Sequence, residues 1–197
     1  MPTLDEASLK LLLLDARTHN GWTDEPVDES VIRRLYEVCR MGPTSSNIVP
    51  LRVVFVKSAE AKKKLEPAMN AGNREKTMAA PYTAILAYDT AFYEKMSKLA
   101  PHAPDTGKKL AQKPEEERNK LAHENAWLQA GYFILTARAL GLDCGPMLGF
   151  EPKKVDEAFF KESTWRSIVV VNLGHGDWSK VKPRAPRLDF EEACRIE

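Results

Sequence analysis

Cysteine is scarce in this chain of 197 residues. Cys39, Cys144 and Cys194 lie far apart, and no C-x-x-C occurs. That excludes a disulfide framework and the common thiolate zinc sites. The expectation is three buried thiols in a reducing, cytoplasmic compartment. Histidine is equally thin. His19, His102, His123 and His175 are scattered, and "HEN" at 123–125 lacks the second histidine of a zincin helix. No metal centre is expected. Net charge is only +1, so no global field points to nucleic acid or an anionic membrane. No apolar run approaches the roughly 18 residues of a membrane span. The opening "MPTLDEASLKLLLLDAR" has acids near its front and no small-residue cleavage site, which argues against a signal peptide. Phosphate loops of the G-x-x-x-x-G-K-[ST] kind, G-x-G-x-x-G and G-x-S-x-G are all missing, as is a persuasive cysteine–histidine arrangement.

What remains is ordinary globular material, 43% hydrophobic and 29% charged, enough for one compact domain over 1–197. "SLKLLLLDAR" reads as a short helix. "VDESVIRRLYEVCRM" reads as a second, capped by Asp28. "RVVFVK" is a β-branched strand, followed by a helix capped by Ser58. "NAGNREK" reads as a polar turn, and "YTAILAY" as a buried strand. "APHAPDTGKKLAQKPEEERNK" reads as an exposed excursion. The longest helix spans roughly 115–140 and ends at Gly141. Its stripe of Leu121, Trp127, Leu128, Tyr132, Ile134, Leu135 and Leu140 is wide enough to bury more than one side. "DCGPMLGFE" reads as a loop, "RSIVVVNLG" as a third strand, and a basic, proline-rich tail follows. Strands and helices do not alternate regularly, so the class is α+β.

Several polar segments interrupt this pattern. They are "DARTHNGW", "GPTSSNIVP" at 42–50, "NREK" at 73–76 and "KPRAPR" near the C-terminus. Each has an ordinary reading. Arg17 suits a helix end, Ser, Asn and Pro suit loops, and basic tails are often solvated. With no nucleophile in sight, an enzyme built on these groups would bind a cofactor that carries the chemistry.

Taken in order, these segments resemble the FMN-dependent nitroreductase-like flavoproteins. "ARTHNGW" stands where such chains open with an arginine-led polar segment. "PTSSNIVP" is similar to their P-S-S-x-N-x-Q-P segment at Pro43, Thr44, Ser45, Asn47 and Pro50. Asn73 and Lys76 match an N-x-x-K segment. "GLDCGPMLGF" matches a G-[LM]-x-x-x-P-x-x-G-[FY] loop, and Lys182 and Arg184 a K-x-R tail. Val49 stands where many members have glutamine, and Leu148 where several have glutamate. "GPTSSN" and "PRLDFEEAC" are most similar to the branch that reduces malonic semialdehyde in uracil degradation.

The resemblance implies a nitroreductase-like fold, with a central mixed, mostly antiparallel sheet flanked by helices. It also implies an intertwined homodimer whose C-terminal tail crosses to its partner. It assigns the FMN phosphate to Arg17 and Arg184, with Thr18, His19 and Lys182 beside them; guanidinium suits a dianionic phosphate. It places Pro43, Thr44, Ser45 and Asn47 against the ribityl chain and ring of the flavin held mainly by the other subunit. Asn73 and Lys76 fall at the ring edge, where Lys76 favours the anionic reduced form. Pro146, Met147, Leu148 and Gly149 bring backbone to the ring, with an N–H of Leu148 or Gly149 aimed at its reactive nitrogen.

The activity so implied is an FMN oxidoreductase fed by NADPH or NADH, reducing malonic semialdehyde to 3-hydroxypropionate. A broad nitro, quinone or enone reductase is the alternative, and a flavin-binding protein without turnover is a third. Aldehyde reduction needs a proton on oxygen as hydride arrives. No residue is singled out as the acid; His19, Tyr93 and His102 are weak candidates and water is another. Expected partners are a second copy and a small electrophilic acceptor, without nucleic acid or membrane.

Overall fold

The computed structural model describes residues 2–197. The strands are β1 (Leu51–Val56), β2 (Tyr82–Asp89), β3 (Asp143–Met147) and β4 (Trp165–Gly174). The helices are α1 (Glu6–Leu9), α2 (Glu29–Cys39), α3 (Ala59–Leu65), α4 (Ala71–Ala79), α5 (Met96–Leu99), α6 (Thr106–Ala111), α7 (Glu115–Ala139), α8 (Pro152–Phe159) and α9 (Phe190–Ala193). The local signals for several ends are met. Asp28 accepts from Ser30 N at 2.7 Å, Ser58 accepts from Ala61 N at 3.1 Å, and Gly141 leaves α7 at φ +81°.

The sheet order is β1-β2-β4-β3, and every ladder is antiparallel. One parallel bridge, Thr18 to Cys144, adds a short segment outside β3. The α+β expectation with a mostly antiparallel sheet therefore holds. Side chains alternate across the strands. Leu51, Leu86, Val169 and Val171 join α2 and α7 on one face. Val56, Ile85, Val170 and Met147 join a second cluster on the other, with Leu65 of α3 and Val155 of α8. Helices cover both faces, which is why β2 and β4 are buried along nearly their whole length.

Five local expectations need correction. "NAGNREK" is not a turn but most of α4. Tertiary bonds hold both ends of that helix: Asn70 N donates to Gly149 O at 3.1 Å, and Lys62 Nζ donates to Thr77 O and Ala80 O. "DCGPM" is not a loop but β3. As an edge strand it tolerates Pro146, which lacks an N–H. The polar excursion is not wholly exposed, since Ala100 and Leu110 are buried with Ile48, Phe92, Met96 and Ala122. The buried face of α7 is Ala122, Asn125, Ala126, Gln129, Ala130, Phe133 and Ala137. Small residues let the helix lie close on the sheet, while Trp127 and Leu128 of the expected stripe stay exposed. Cys39 and Cys144 are buried, but Cys194 is exposed in the tail. Burial pushes the two inner thiols up, to about 11 and about 12, so neither is a ready nucleophile.

Candidate active site

Residues far apart in sequence meet beyond the β3 edge. His19 N donates to Cys144 O at 3.0 Å, which lays the 18–20 segment along β3. The chain's last segment then folds over it. Arg184 Nη2 donates to Ala16 O at 2.8 Å, and Arg17 Nη2 donates to Lys182 O. The two arginines thus clasp the carbonyls of Ala16 and Lys182, each close in sequence to the other arginine, and each keeps most of its five N–H donors for something else. Between them opens a cleft of about 700 Å³ whose polar lining is Arg17, Thr18, Asn20, Arg138, Lys182, Arg184 and Arg187. No carboxylate lines it among the described residues. Such a donor set fits an anion of the phosphate kind.

The α4 segment reaches the same cleft through Asn20. Lys76 Nζ donates to Asn20 Oδ1 at 3.0 Å. Burial lowers the Lys76 pKa, and the nearby Lys182 charge adds to that. On the next part of α4, Asn73 Nδ2 donates to Gly149 O at 2.8 Å. The Asn73 amide packs so closely on Gly149 that a Cβ there would sit 2.4 Å from Asn73 Nδ2. Leu148 projects outward, 67% exposed. Pro146 is half-buried, and the Met147 side chain points into the core, 3.8 Å from Thr77 Oγ1, so Met147 can offer the site only backbone.

His19 is set apart from the cleft. Its ring is 1% exposed, packed edge-on to Trp178 at 5.0 Å, with Nε2 3.3 Å from Asp143 Oδ1. Burial lowers its pKa, against the Asp143 charge that raises it. Neutral and enclosed, it supports the 18–20 segment from behind.

The 43–50 loop lies elsewhere. It enters β1, at the opposite edge of the sheet, three strand spacings or roughly 14 Å from β3. Ser45 N donates to Asn125 Oδ1 at 2.8 Å, Val49 N to Thr44 Oγ1 at 3.2 Å, and Tyr132 Oη to Pro43 O at 3.2 Å. Gly42 is pressed against the Tyr132 ring, where a Cβ would lie 2.1 Å from it. These bonds hold an unusual backbone: Ser46, Asn47 and Val49 have φ of 49°, 54° and 38°. For β-branched Val49 this is a true outlier, and such strain concentrates at functional sites. A second cleft of about 580 Å³ opens beside Pro43 and Asn47.

One chain therefore brings Arg17, Thr18, Lys182 and Arg184 to one cleft, ties Lys76 to it through Asn20 and Asn73 to Gly149, and leaves Pro43, Thr44, Ser45 and Asn47 at the other edge. Over this geometry, the sequence profile of the nitroreductase family matches residues 14–175. The chain belongs to the nitroreductase family. This nitroreductase-family chain is 50% identical over 196 residues to a protein of Ralstonia nicotianae named "Putative NADH dehydrogenase/NAD(P)H nitroreductase", with each chain covered in full. It is 51% identical over 193 residues to a like-named protein of Stenotrophomonas maltophilia, covering 98% of this chain and 97% of that one. Among solved structures, a nitroreductase-family protein of Exiguobacterium sibiricum in complex with FMN superposes with a TM-score of 0.85 at 16% identity. It covers 100% of this chain and 99% of that one.

Three polar residues of the cleft are not among the candidates drawn from the sequence. Asn20 sat inside a quoted motif without a role. Arg138 reads as a dipole cation in the last turn of α7, yet its buried Nε has no partner. Arg187 lies in a tail whose path only the tertiary structure reveals.

Proposed function

We propose that this chain is a single-domain, cytoplasmic FMN oxidoreductase, active as a homodimer, that takes electrons from NAD(P)H and reduces malonic semialdehyde to 3-hydroxypropionate. The observation that carries the flavin reading is the carboxylate-free cleft in which Arg17, Lys182 and Arg184 converge with Asn20, which Lys76 bonds. Bound there, FMN supplies hydride exchange between the nicotinamide and the acceptor. Arg17 and Arg184 hold the phosphate, with Thr18 and Lys182 beside it. Lys76 and Asn73 would present donors to the pyrimidine edge, and a backbone N–H of Leu148 or Gly149 would serve the reactive ring nitrogen.

The dimer supplies what one chain lacks. A second copy would bring its Pro43, Thr44, Ser45 and Asn47 to this cleft. Three features favour that arrangement. The strand β1 is an edge strand with a free side. Residues 182–197 are exposed throughout and carry Leu188, Phe190 and Ile196, which have no core of their own. Trp127 and Leu128 on α7 are likewise uncovered.

The test is anaerobic stopped-flow reduction of the purified yellow protein by NADPH or NADH, followed by an acceptor panel. Malonic semialdehyde should reoxidise it fastest, with two FMN and no metal per dimer. Colourless protein, or stoichiometric FAD or zinc, would overturn the flavin reading. Faster reoxidation by nitroaromatics, quinones or enones would favour the broad reductase, as the names of the relatives and the exposed Leu148 do.

A further inference from the structure

We propose that Arg40, Lys95 and Lys98 form a carboxylate-binding subsite, so that the electron acceptor entering past the Pro43–Asn47 loop is a small anion. This inference rests on the flavin reading above. The three cations line the cleft that also contains Pro43, Asn47 and Val49. Arg40 follows the last turn of α2, just before the loop. Lys95 and Lys98 ride on the turn at α5, one helical turn apart. Asn47 Nδ2 donates to Leu99 O at 2.8 Å, tying that turn to the loop.

Among the described residues, none of the three has an ion pair or side-chain hydrogen bond. This sets them apart from their neighbours. On α2, Arg33 pairs with Glu29 at 2.6 Å and Arg34 with Glu37 at 3.2 Å. Arg52, the remaining cation of the cleft, is occupied by Asp89 at 2.8 Å and by the carbonyl of Val49. No carboxylate lines this cleft among the described residues. Three like charges facing one concavity repel each other and focus a positive potential into it. The flavin leaves nothing for them to neutralise. Its phosphate belongs to Arg17 and Arg184 in the other cleft, and its ring edge to Lys76. The resemblance sets the 43–47 loop against the uncharged ribityl chain and ring of the flavin, so an anion in this cleft is carried by a reactant. Tyr36, Met41 and Leu99 supply the apolar wall against which a small organic body can lie.

The test compares two acceptors that differ only in charge, 4-nitrobenzoate and 4-nitrobenzamide, in wild type and in a Lys95→Gln/Lys98→Gln variant, with Arg40→Gln added in a third protein. Flavin content is read separately by absorbance. The wild-type ratio of kcat/KM, carboxylate over amide, should exceed one. It should fall about five- to tenfold in the double variant, the range of two exposed ion contacts. Salt at about 1 M, where the screening length is about 3 Å, should lower the wild-type ratio towards that of the variant. An unchanged ratio in yellow protein overturns the subsite and leaves the flavin reading standing. A loss confined to NADPH over NADH, with the acceptor ratio intact, also overturns it and assigns the cations to the 2′-phosphate of the donor. A colourless wild type overturns both readings together.

Discussion

The two edges of the sheet are built in opposite ways. At the β3 edge, groups more than a hundred residues apart are brought together on ordinary backbone, and the chemistry is carried by long cationic side chains. At the β1 edge, a nine-residue stretch folds on itself in strained backbone, and the polar groups are short. The first resembles a socket for charge, assembled only when the chain is complete. The second is a preformed rim, held rigid by Asn125, Tyr132, Thr44 and Arg52. A phosphate needs charge and tolerates flexible donors. A neutral ribityl chain and ring face need fixed geometry, and fixing it costs strain.

Dilution tests the comparison most severely. If one flavin needs both edges, and they come from two copies, dilution below the dimer dissociation constant should release FMN completely. Sedimentation of a stable monomer with full flavin occupancy would show that the β3 edge suffices alone.

Next in size is the buried support of that edge. Lys62 is 4% exposed, and its Nζ donates to Thr77 O at 2.5 Å, Ala80 O at 2.8 Å and Thr83 Oγ1 at 2.8 Å, with no carboxylate partner. Thr83 in turn bonds Asn172, whose Nδ2 reaches Lys76 O at 3.2 Å. Lys62→Met leaves these acceptors unmet, at about 2–4 kcal/mol in urea unfolding. Burial lowers the Lys62 pKa from its ordinary 10.5 to about 8. In that interval the unfolded chain binds more protons, so wild-type stability should rise with pH through it. The methionine variant should lack this rise. Parallel pH curves would remove Lys62 as the source.

The socket itself is probed by Arg17→Ala and Arg184→Ala. A charge-assisted bond is worth about 1.5–3 kcal/mol. FMN affinity should therefore fall about ten- to a hundredfold, while that of riboflavin, which lacks the phosphate, stays level. Equal losses in a fluorescence titration of flavin-stripped protein would mean general damage rather than a lost phosphate contact.

The smallest effect is expected at the rim. Val49→Gly removes the Cβ that makes φ 38° costly. Against the added chain entropy of glycine, the net gain in apoprotein stability should be about 1 kcal/mol. A loss of that size or more would show that packing of the Val49 side chain outweighs the strain.

Local chemistry in the sequence was enough for the elements that need only their own residues. Asp28, Ser58 and Gly141 mark helix ends by short-range bonds and by the freedom of glycine. The β-branched runs at 52–56 and 168–171 mark strands. The polar segments were legible for the same reason: charged and amide groups interrupt an apolar period. Elements stabilised from outside were not legible. The helix α4 contains Gly72 and Asn73 and holds through Gly149 and Lys62, while β3 contains glycine and proline and holds through β4 and the 18–20 segment. The face of α7 that meets the sheet is set by close approach of small residues, which a search for large apolar side chains passes over. The sequence by itself determined which groups are available to hold an anion and a ring. Only the tertiary structure decided that Arg17, Asn20, Lys182 and Arg184 share one cleft, with Lys76 bonded to its Asn20, and that the 43–47 loop lies elsewhere. Distance along the chain carries no information about distance in space until the sheet order separates β1 from β3.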